Sequence, residues 1–364
     1  MKQTPEPGTT FDAASPTTLA PDAPLPEHLV DGARDFIIAS RSDNTRLAYA
    51  KAWGFFEAWC SMHNRQAMPA SLETIAAWMT DLVTNGTPSH PGAPIGPSTL
   101  NAYLSAVVVA HRLRGHGVDR KSPLLADVWK GIARTKSRMP RQARPLLAEQ
   151  LNDMLASFAP TSPADARDAA LLALGWAAAL RRSELVGLDW QEPGDGDGFV
   201  ALDTQGIHLT LLRSKTSQDK PETVVVPNAD MPEVMAALKT WAALALLDPG
   251  SPVFRPIDQR GVIGISRLTD RSVARIIKGR VHEIALRRGL TAEEAKTLAD
   301  RFSGHSLRAG YATAAAAADM PQYRIQQHTR HRTAEMVARY VREADKWTKS
   351  GLKGVWRPYR IAEE

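Results

Sequence analysis

The feature that most constrains the fold is a basic stretch without acidic residues that separates a shorter from a longer part of the chain. From Lys136 to Arg144 the sequence reads KSRMPRQAR, and Pro145 follows directly. The two prolines of this region oppose a continuous helix through it. A chain of 364 residues with 43% hydrophobic residues can bury two cores. We therefore predict two domains joined by a basic linker at residues 136–146, where an ordinary solvated connector is the alternative to a segment that contacts phosphates.

The part before the linker has the spacing of amphipathic helices. Residues 1–24 contain five prolines among Thr, Ala and Asp, which predicts a flexible tail. From residue 25 to 135, apolar residues recur at helical intervals and good N-cap residues precede several of the segments. This pattern predicts a helical domain with helices at 26–37, 42–63, 71–83, 98–114 and 124–135.

The part after the linker is also mainly helical but contains one β-rich region. Helical spacing predicts helices at 147–158, 164–180, 231–247, 269–288 and 292–300. Ile207 to Leu212 and Thr223 to Val226 are typical of two antiparallel strands, joined by a hairpin tip with three cations. The Gly/Asp-rich residues 193–198 predict a tight turn. The expected fold class is therefore mainly α with a small antiparallel β-sheet.

Charge and cysteine content narrow the class of partner and the compartment. The net charge of +6 and a pI near 9.5 indicate a polyanionic partner, either nucleic acid or a membrane surface. Cys60 is the only cysteine, which excludes an intramolecular disulfide and favours a reducing compartment. The longest uncharged apolar run, from Ala169 to Leu180, is shorter than the ~20 residues that cross a membrane. We expect a cytoplasmic protein, with Cys60 packed as a small apolar residue.

Four residues near the C-terminal end form the candidate site. His305 and Arg308 are three residues apart, so a helix would place the imidazole beside the cation. Further on, Met336, Val337 and Tyr340 recur at helical spacing, which puts Tyr340 on an inward face, and His331 lies nine residues before it. A phenol among cations favours phosphate chemistry, because tyrosine can be a covalent nucleophile and arginine binds phosphate oxygens. The alternative is that Tyr340 is only a half-buried core residue.

Two further basic residues, Arg181 and Lys215, precede the candidate site in the sequence. Arg181 lies in the context LRRSEL, and Lys215 lies at the hairpin tip in the context RSKT. Arg181, Lys215, the HxxR motif and the nine-residue interval to Tyr340 resemble the tyrosine recombinase, or phage integrase, family. The resemblance covers residues 147–347, and more loosely the helical N-terminal part, where Ser42 to Thr45 and Trp59-Cys60 look like the core-binding domain of Cre-type members.

This resemblance implies a two-domain clamp around DNA, in which residues 25–135 are the core-binding domain and 147–346 the catalytic domain. Residues 347–364 would form a C-terminal segment that is exchanged between subunits. The implied partners are double-stranded DNA with a specific recombination site, a homo-tetramer assembled on DNA, and DNA-bending accessory proteins. The protein would act in the cytoplasm at the nucleoid, encoded by a bacterium, phage or plasmid.

The resemblance also implies a role for each site residue. Tyr340 would attack a DNA phosphodiester and form a 3′-phosphotyrosyl link. Arg181 and Arg308 would bind the non-bridging oxygens, and Lys215 would protonate the leaving 5′-oxygen. The implied supporting roles are proton transfer at the tyrosine for His305, a hydrogen bond to the phosphate for His331, and orientation of Arg181 or a neighbouring group for Glu184.

Neighbouring residues compete for several of these roles. Arg182 competes with Arg181, Lys220 with Lys215, and His328 with His331, and only sequence context and spacing select among them. Among the other tyrosines, the spacing predicts packing roles for Tyr311 and Tyr323 and a tail position for Tyr359. The family's usual glycine before the second histidine is Arg330 here, which leaves the local loop geometry open.

DNA contacts are predicted on basic faces of both parts and on the linker, with solvated helix faces as the alternative. The candidates are Thr45, Arg46, Lys51, Lys136, Arg138, Arg141, Arg271, Ser272 and Arg275.

No cofactor is expected. The sequence lacks a GxxxxGK[ST] loop and an obvious carboxylate cluster for two metals, and a covalent intermediate would conserve the energy of the broken bond. The competing functions are a type IB topoisomerase, against which His305 and the core-binding domain argue, and a catalytically inert DNA-binding protein, against which the complete set of site residues argues.

Overall fold

The computed structural model describes residues 28, 32, 36, 43–136, 143–212 and 221–348, with only the backbone for 43, 44 and 342–348. The chain divides into two compact units, Met1–Pro140 and Arg141–Glu364. Several predictions fall outside the described residues, namely the tail over 1–24, Arg138, Arg141, Lys215, Lys220 and most of the C-terminal segment. Within the described ranges, no helix combines the length and the apolar character that a membrane crossing requires.

Over residues 43–136 the first unit contains four helices and a short hairpin. Its elements are α1 (Asp43–Met62), α2 (Leu72–Asn85), β1 (Gly86–Thr87), β2 (His90–Pro91), α3 (Pro97–Leu113) and α4 (Pro123–Lys136). The helix ends lie within two residues of the predicted ones, because turn and cap residues fix them. Ser71, for example, accepts a hydrogen bond from the Thr74 N–H, a typical N-cap contact. The loop predicted between α2 and α3 contains the hairpin.

Aromatic side chains form the centre of the first unit's core. Phe56 from α1 and Trp78 from α2 are fully buried and meet edge to face, with ring centroids 5.0 Å apart. Cys60 is also buried, and burial, together with Glu57, raises the pKa of its thiol to about 11. Its prediction as a small packing residue is confirmed.

The second unit is mainly helical, as predicted. Its helices are α5 (Ala148–Ala156), α6 (Pro163–Ala177), α7 (Arg182–Val186), α8 (Pro232–Ala245), α9 (Asp270–Arg287), α10 (Ala292–Ala299), α11 (Ser306–Ala317), α12 (Gln322–Thr329) and α13 (Ala334–Thr348). Helix α6 passes through the core and is buried along most of its length. It ends at Ala177, and the next residues turn through Ala179, whose φ of +47° reverses the chain before Arg181.

The sheet of the second unit is larger than predicted. Its strands are β3 (Leu188–Trp190), β4 (Gly198–Leu202), β5 (Gly206–Leu211) and β6 (Glu222–Pro227), in the order β3-β4-β5-β6. Strands β5 and β6 are the predicted antiparallel pair, whereas β3 pairs parallel to β4. The two additional strands are too short for a clear alternation of apolar and polar residues. The turn between them, predicted from its Gly and Asp residues, is held by Asp189, which accepts the N–H groups of Gly194 and Gly196.

A close backbone contact fixes α11, which carries part of the site. The Leu146 N–H donates to the Ser306 carbonyl, and the Leu146 carbonyl accepts from Trp176 Nε1 at 3.0 Å. Gly310 lies against the same carbonyl, where a Cβ would approach the Leu146 oxygen to 1.9 Å. Only glycine allows this approach of the two backbones.

Candidate active site

The phenol of Tyr340 and the imidazole of His305 meet directly. Tyr340 lies on α13 and is 7% exposed, and its hydroxyl is 3.1 Å from His305 Nε2. His305 precedes the first turn of α11 as its N-cap residue. Burial of the ring, followed by the nearby cations Arg308, Arg339 and Arg181, lowers the pKa of His305 to about 4. A neutral imidazole beside the phenol can accept its proton.

Arg308 is a buried cation whose charge is incompletely paired. It is 1% exposed, and its Nη1 donates to the Ala179 carbonyl at 2.8 Å. Its Nη2 is buried and has no hydrogen-bond partner among the described residues. Burial and the neighbouring Arg181 and Arg330 lower the pKa of Arg308 to about 9, although Glu184 opposes them. A buried guanidinium with an unpaired nitrogen is suited to binding an anionic ligand.

Arg181 is held by Glu184 at the start of α7. Its Nη1 forms an ion pair with Glu184 Oε1, and its backbone N–H donates to Glu184 Oε2 at 2.9 Å. Burial opposes ionisation of Glu184, but the cations Arg330 and Arg181 outweigh burial, so the pKa of Glu184 lies below its usual range. The predicted role of Glu184, orientation of this arginine, agrees with these contacts.

His331 lies beside the Tyr340 ring and completes the set. It is 6% exposed, and its ring centroid is 5.8 Å from that of Tyr340. The Thr329 hydroxyl lies 2.6 Å from His331 Nδ1 and fixes the orientation of the ring. Burial, together with Arg308 and other nearby cations, lowers the pKa of His331 to about 3.

Two arginines near the site were not predicted to belong to it. The Arg339 guanidinium lies 5.3 Å from the centre of the Tyr340 ring, and its Nη2 is 3.5 Å from the phenol oxygen. Arg330 bonds to Glu184 through Nη2 at 3.0 Å. The sequence contained one signal for Arg330, since a side chain stands there at the position of the family's usual glycine.

Two of the competing candidates, Arg182 and His328, make other contacts, whereas Lys215 and Lys220 lie outside the described residues. Arg182 pairs with Asp270, and half of its side chain is exposed. His328 stacks on Tyr311, with ring centroids 4.3 Å apart, and its Nε2 lies 2.7 Å from the Ala177 carbonyl. Neither residue is placed beside the Tyr340 hydroxyl.

Two packing predictions around the site are wrong. Tyr323 is 63% exposed, because α12 is short and presents this residue to solvent. Met336 is 46% exposed, whereas its neighbour Val337 is fully buried. Successive side chains on a helix point in different directions, and on α13 Val337 faces inward while Met336 faces solvent.

The candidate DNA contacts are distributed over both units. In the first unit Arg46, Lys51 and Lys136 are exposed and Thr45 is half-buried. In the second unit Arg271 and Arg275 are exposed on α9. Ser272 is buried, and its hydroxyl bonds to Thr269 and to Arg275.

Metal-binding side chains do not cluster in the part of the chain that the structure describes. No group of three or more His, Cys, Asp or Glu residues there could hold a metal ion. The chemistry available among these residues therefore consists of a phenol, two neutral imidazoles and arginine cations, a set suited to attack on a phosphate ester.

Comparison with known proteins agrees with this geometry. Residues 144–346 match the Phage integrase family. An integrase/recombinase xerD homolog of Selenomonas ruminantium is 31% identical over 323 residues, covering 87% of this chain and 86% of the relative. The recombinase cre of Escherichia phage P1 is 24% identical, covering 83% of this chain and 84% of the relative.

A solved structure shares the fold. The Tn1549 transposon integrase in complex with transposon right end DNA aligns with a TM-score of 0.55 at 14% identity, covering 90% of this chain and 98% of that one. The family match covers more than half of the sequence, and the Selenomonas relative extends it over most of the chain. The chain therefore belongs to the phage integrase family and is a tyrosine recombinase.

Proposed function

We propose that this protein cleaves and rejoins DNA at a specific site through a 3′-phosphotyrosyl intermediate, with Tyr340 as the nucleophile. The observation that carries the proposal is the 3.1 Å contact between the Tyr340 hydroxyl and His305 Nε2, next to the buried guanidinium of Arg308. This contact joins a nucleophile to a base, and the arginine supplies charge for the phosphate.

In the first step the Tyr340 oxygen forms a bond to phosphorus, and the bond from phosphorus to the 5′-oxygen breaks. His305 takes the phenolic proton, which its pKa of about 4 allows at neutral pH. Arg181 and Arg308 bind the non-bridging oxygens, where negative charge increases in the transition state. Lys215 protonates the leaving 5′-oxygen.

His331 donates a hydrogen bond to the phosphate in this scheme. The neutral ring can do so only with its proton on Nε2, and the Thr329 hydroxyl, 2.6 Å from Nδ1, must then turn its hydrogen from the Ile325 carbonyl toward Nδ1. Arg339, within 3.5 Å of the phenol oxygen, favours the phenolate as the proton leaves.

Rejoining is the reverse reaction with a new strand. A 5′-hydroxyl from the partner duplex attacks the phosphotyrosine, which restores a phosphodiester and frees Tyr340 without ATP. Two such exchanges through a Holliday junction give integration, excision or resolution. We propose a homo-tetramer on two DNA sites in the cytoplasm, with residues 347–364 seated on a neighbouring subunit and DNA-bending proteins as accessory factors.

DNA binding is assigned to both units. Residues 25–135 would act as the core-binding domain, 136–146 as a basic linker, and 147–346 as the catalytic domain. Exposed cations on α1 and α9 support this assignment, since phosphate contacts position a protein on the duplex. The buried Ser272 hydroxyl bonds to the side chains of Thr269 and Arg275, which supports a structural role at the start of α9 more directly than a contact to DNA.

The test traps the covalent intermediate on nicked suicide duplexes. The duplexes carry the genomic sequence that flanks the gene, and the buffer contains no metal. Wild type should give a denaturant-stable adduct, and Tyr340→Phe should bind the same duplex without forming one. The matched control, Tyr323→Phe, alters an exposed tyrosine and should form the adduct at the wild-type rate. A wild-type protein that binds a duplex specifically and forms no adduct would contradict the proposal.

A further inference from the structure

Arg330 occupies a backbone conformation that arginine rarely adopts. It ends α12 with φ +53° and ψ +44°, in the left-handed region that favours glycine. A non-glycine residue held there is strained and persists only where other contacts compensate for the strain. The side-chain contacts of Arg330 supply such compensation.

The Arg330 guanidinium is buried and bonds to several acceptors. Its side chain is 6% exposed. Nη1 donates to the Ala178 carbonyl at 3.3 Å and to the His328 carbonyl at 3.0 Å. Nη2 donates to the Ala179 carbonyl at 3.4 Å and to the Glu184 carboxylate at 3.0 Å. The two alanine carbonyls directly follow the last turn of α6, where a cation is favoured.

These contacts close a ring with the candidate phosphate-binding arginine. Glu184 is bound by Arg181 through one carboxylate oxygen and by Arg330 through the other. Arg181 Nη2 in turn donates to the Arg330 backbone carbonyl at 3.1 Å. The left-handed turn is what presents that carbonyl to Arg181, and the next residue is His331.

The ring also determines the charge that remains for a ligand. Glu184 carries one negative charge, and with Arg181 as its only partner it would neutralise that arginine and hold it back from a phosphate. The second cation, from Arg330, shares Glu184, while the other carboxylate near Arg330, Glu222, lies 3.8 Å from Nε and is more exposed, so Glu184 no longer pairs with Arg181 alone. Removal of Arg330 would therefore strengthen the hold of Glu184 on Arg181.

We propose that Arg330 is a positioning residue for cleavage, which acts by sharing Glu184 with Arg181 so that Arg181 stays oriented and available to the scissile phosphate. This inference rests on the proposed function. It gives Arg330 a role that no glycine at this position could have, because the role belongs to the guanidinium.

The test compares Arg330→Gly and Arg330→Lys with wild type on the suicide duplex described above. Glycine keeps the left-handed turn, so a loss of rate reports the guanidinium and not the backbone. Arg330→Gly should slow adduct formation by about tenfold to hundredfold, as expected for a misplaced catalytic group, with duplex affinity unchanged. Lysine keeps the charge but not the planar fork, so Arg330→Lys should recover only part of the rate.

Two controls separate this effect from general damage. Leu246→Gly replaces another left-handed residue, with φ +47° and 80% exposure, and should leave the rate unchanged. Arg288→Gly removes an arginine that pairs with Asp153, outside the site, and should also leave the rate unchanged.

A double-mutant cycle with Glu184→Gln tests whether Arg330 acts through Glu184. If Arg330 acts through Glu184, the double variant should be no slower than the slower single variant, whereas independent effects would multiply. Multiplied effects, or an Arg330→Gly variant as fast as wild type, would overturn the inference and leave the proposed function intact. A wild-type protein that binds but forms no adduct would overturn the proposed function, and the inference with it.

Discussion

Arg308→Met should stabilise the DNA-free protein while abolishing cleavage. Arg308 is 1% exposed, and burial and two neighbouring arginines lower its pKa to about 9, well below the usual range of a guanidinium. A lowered pKa for a basic group means that the fold opposes its charge, so the charged side chain reduces the free energy of unfolding. Methionine has a similar length, carries no charge and adapts to irregular cavities.

The magnitude follows from the pKa and from the one hydrogen bond that is lost. At about 1.4 kcal/mol per pKa unit, the lowered pKa corresponds to a cost of about 5 kcal/mol. The hydrogen bond from Arg308 Nη1 to the Ala179 carbonyl stabilises the wild type by about 2 kcal/mol, as is typical of charged donors, and the substitution removes it. The Ala179 carbonyl keeps Arg330 Nη2, at 3.4 Å, as a partner after the substitution. The net expected gain is about 3 kcal/mol.

Hydrogen exchange of the slowest amides in α6 and α11 measures this change within the second unit alone. Because the wild-type arginine stays protonated below its lowered pKa in both states, the gain should be equal at about pH 6 and pH 8. Arg255→Met is the matched control, since Arg255 is also buried and bonds to the carbonyls of Pro252 and Ala245. It should lose stability. An Arg308→Met protein with faster exchange than wild type would refute the reasoning.

Two further predictions concern pH and packing. Burial and nearby arginines, Arg308 first among them, lower the pKa of His305 to about 4, so the second-order rate of adduct formation should hold down to about pH 5. An acid limb centred near pH 6.5, the ordinary histidine value, would contradict a desolvated His305. Gly310→Ala should lower the free energy of unfolding by about 3 kcal/mol, because its Cβ would approach the Leu146 carbonyl oxygen to 1.9 Å. Gly279 lies on a helix, and a Cβ there would meet open space, so Gly279→Ala should instead raise thermal stability. Equal effects of the two substitutions would contradict the packing argument.

Most of the helices could be predicted from the sequence because local chemistry sets their ends. Ser71 caps α2 through its own hydroxyl, and Ser162 caps α6 in the same way. Apolar spacing then fixes which face is buried. Strands β3 and β4 could not be predicted, since their pairing depends on a turn held by Asp189, and Asp189 is itself bound by Arg267, 78 positions away.

The site could be predicted as a set of residues but not as an electrostatic arrangement. The sequence spacing predicted that His305, Arg308 and Tyr340 belong to one site, and the structure places the Tyr340 phenol and the His305 imidazole within hydrogen-bond distance. Nothing in the sequence indicated that Arg330 would share Glu184 with Arg181. That contact joins residues 146 positions apart, and it forms only because the chain turns back after α6 and again after α12.

The cost of Arg308 and the role of Arg330 have one physical origin. The site concentrates arginines around a single buried carboxylate, Glu184, so cations exceed anions before any ligand arrives. Such an excess destabilises the free fold, and a phosphate placed among these side chains would reverse the imbalance by pairing the buried nitrogens. The charge that weakens the DNA-free protein is then the charge available to the transition state, where the phosphorus oxygens gain negative charge. Stability and cleavage should therefore change in opposite directions at Arg308, whereas a residue that serves packing alone, such as Gly310, should change both in the same direction.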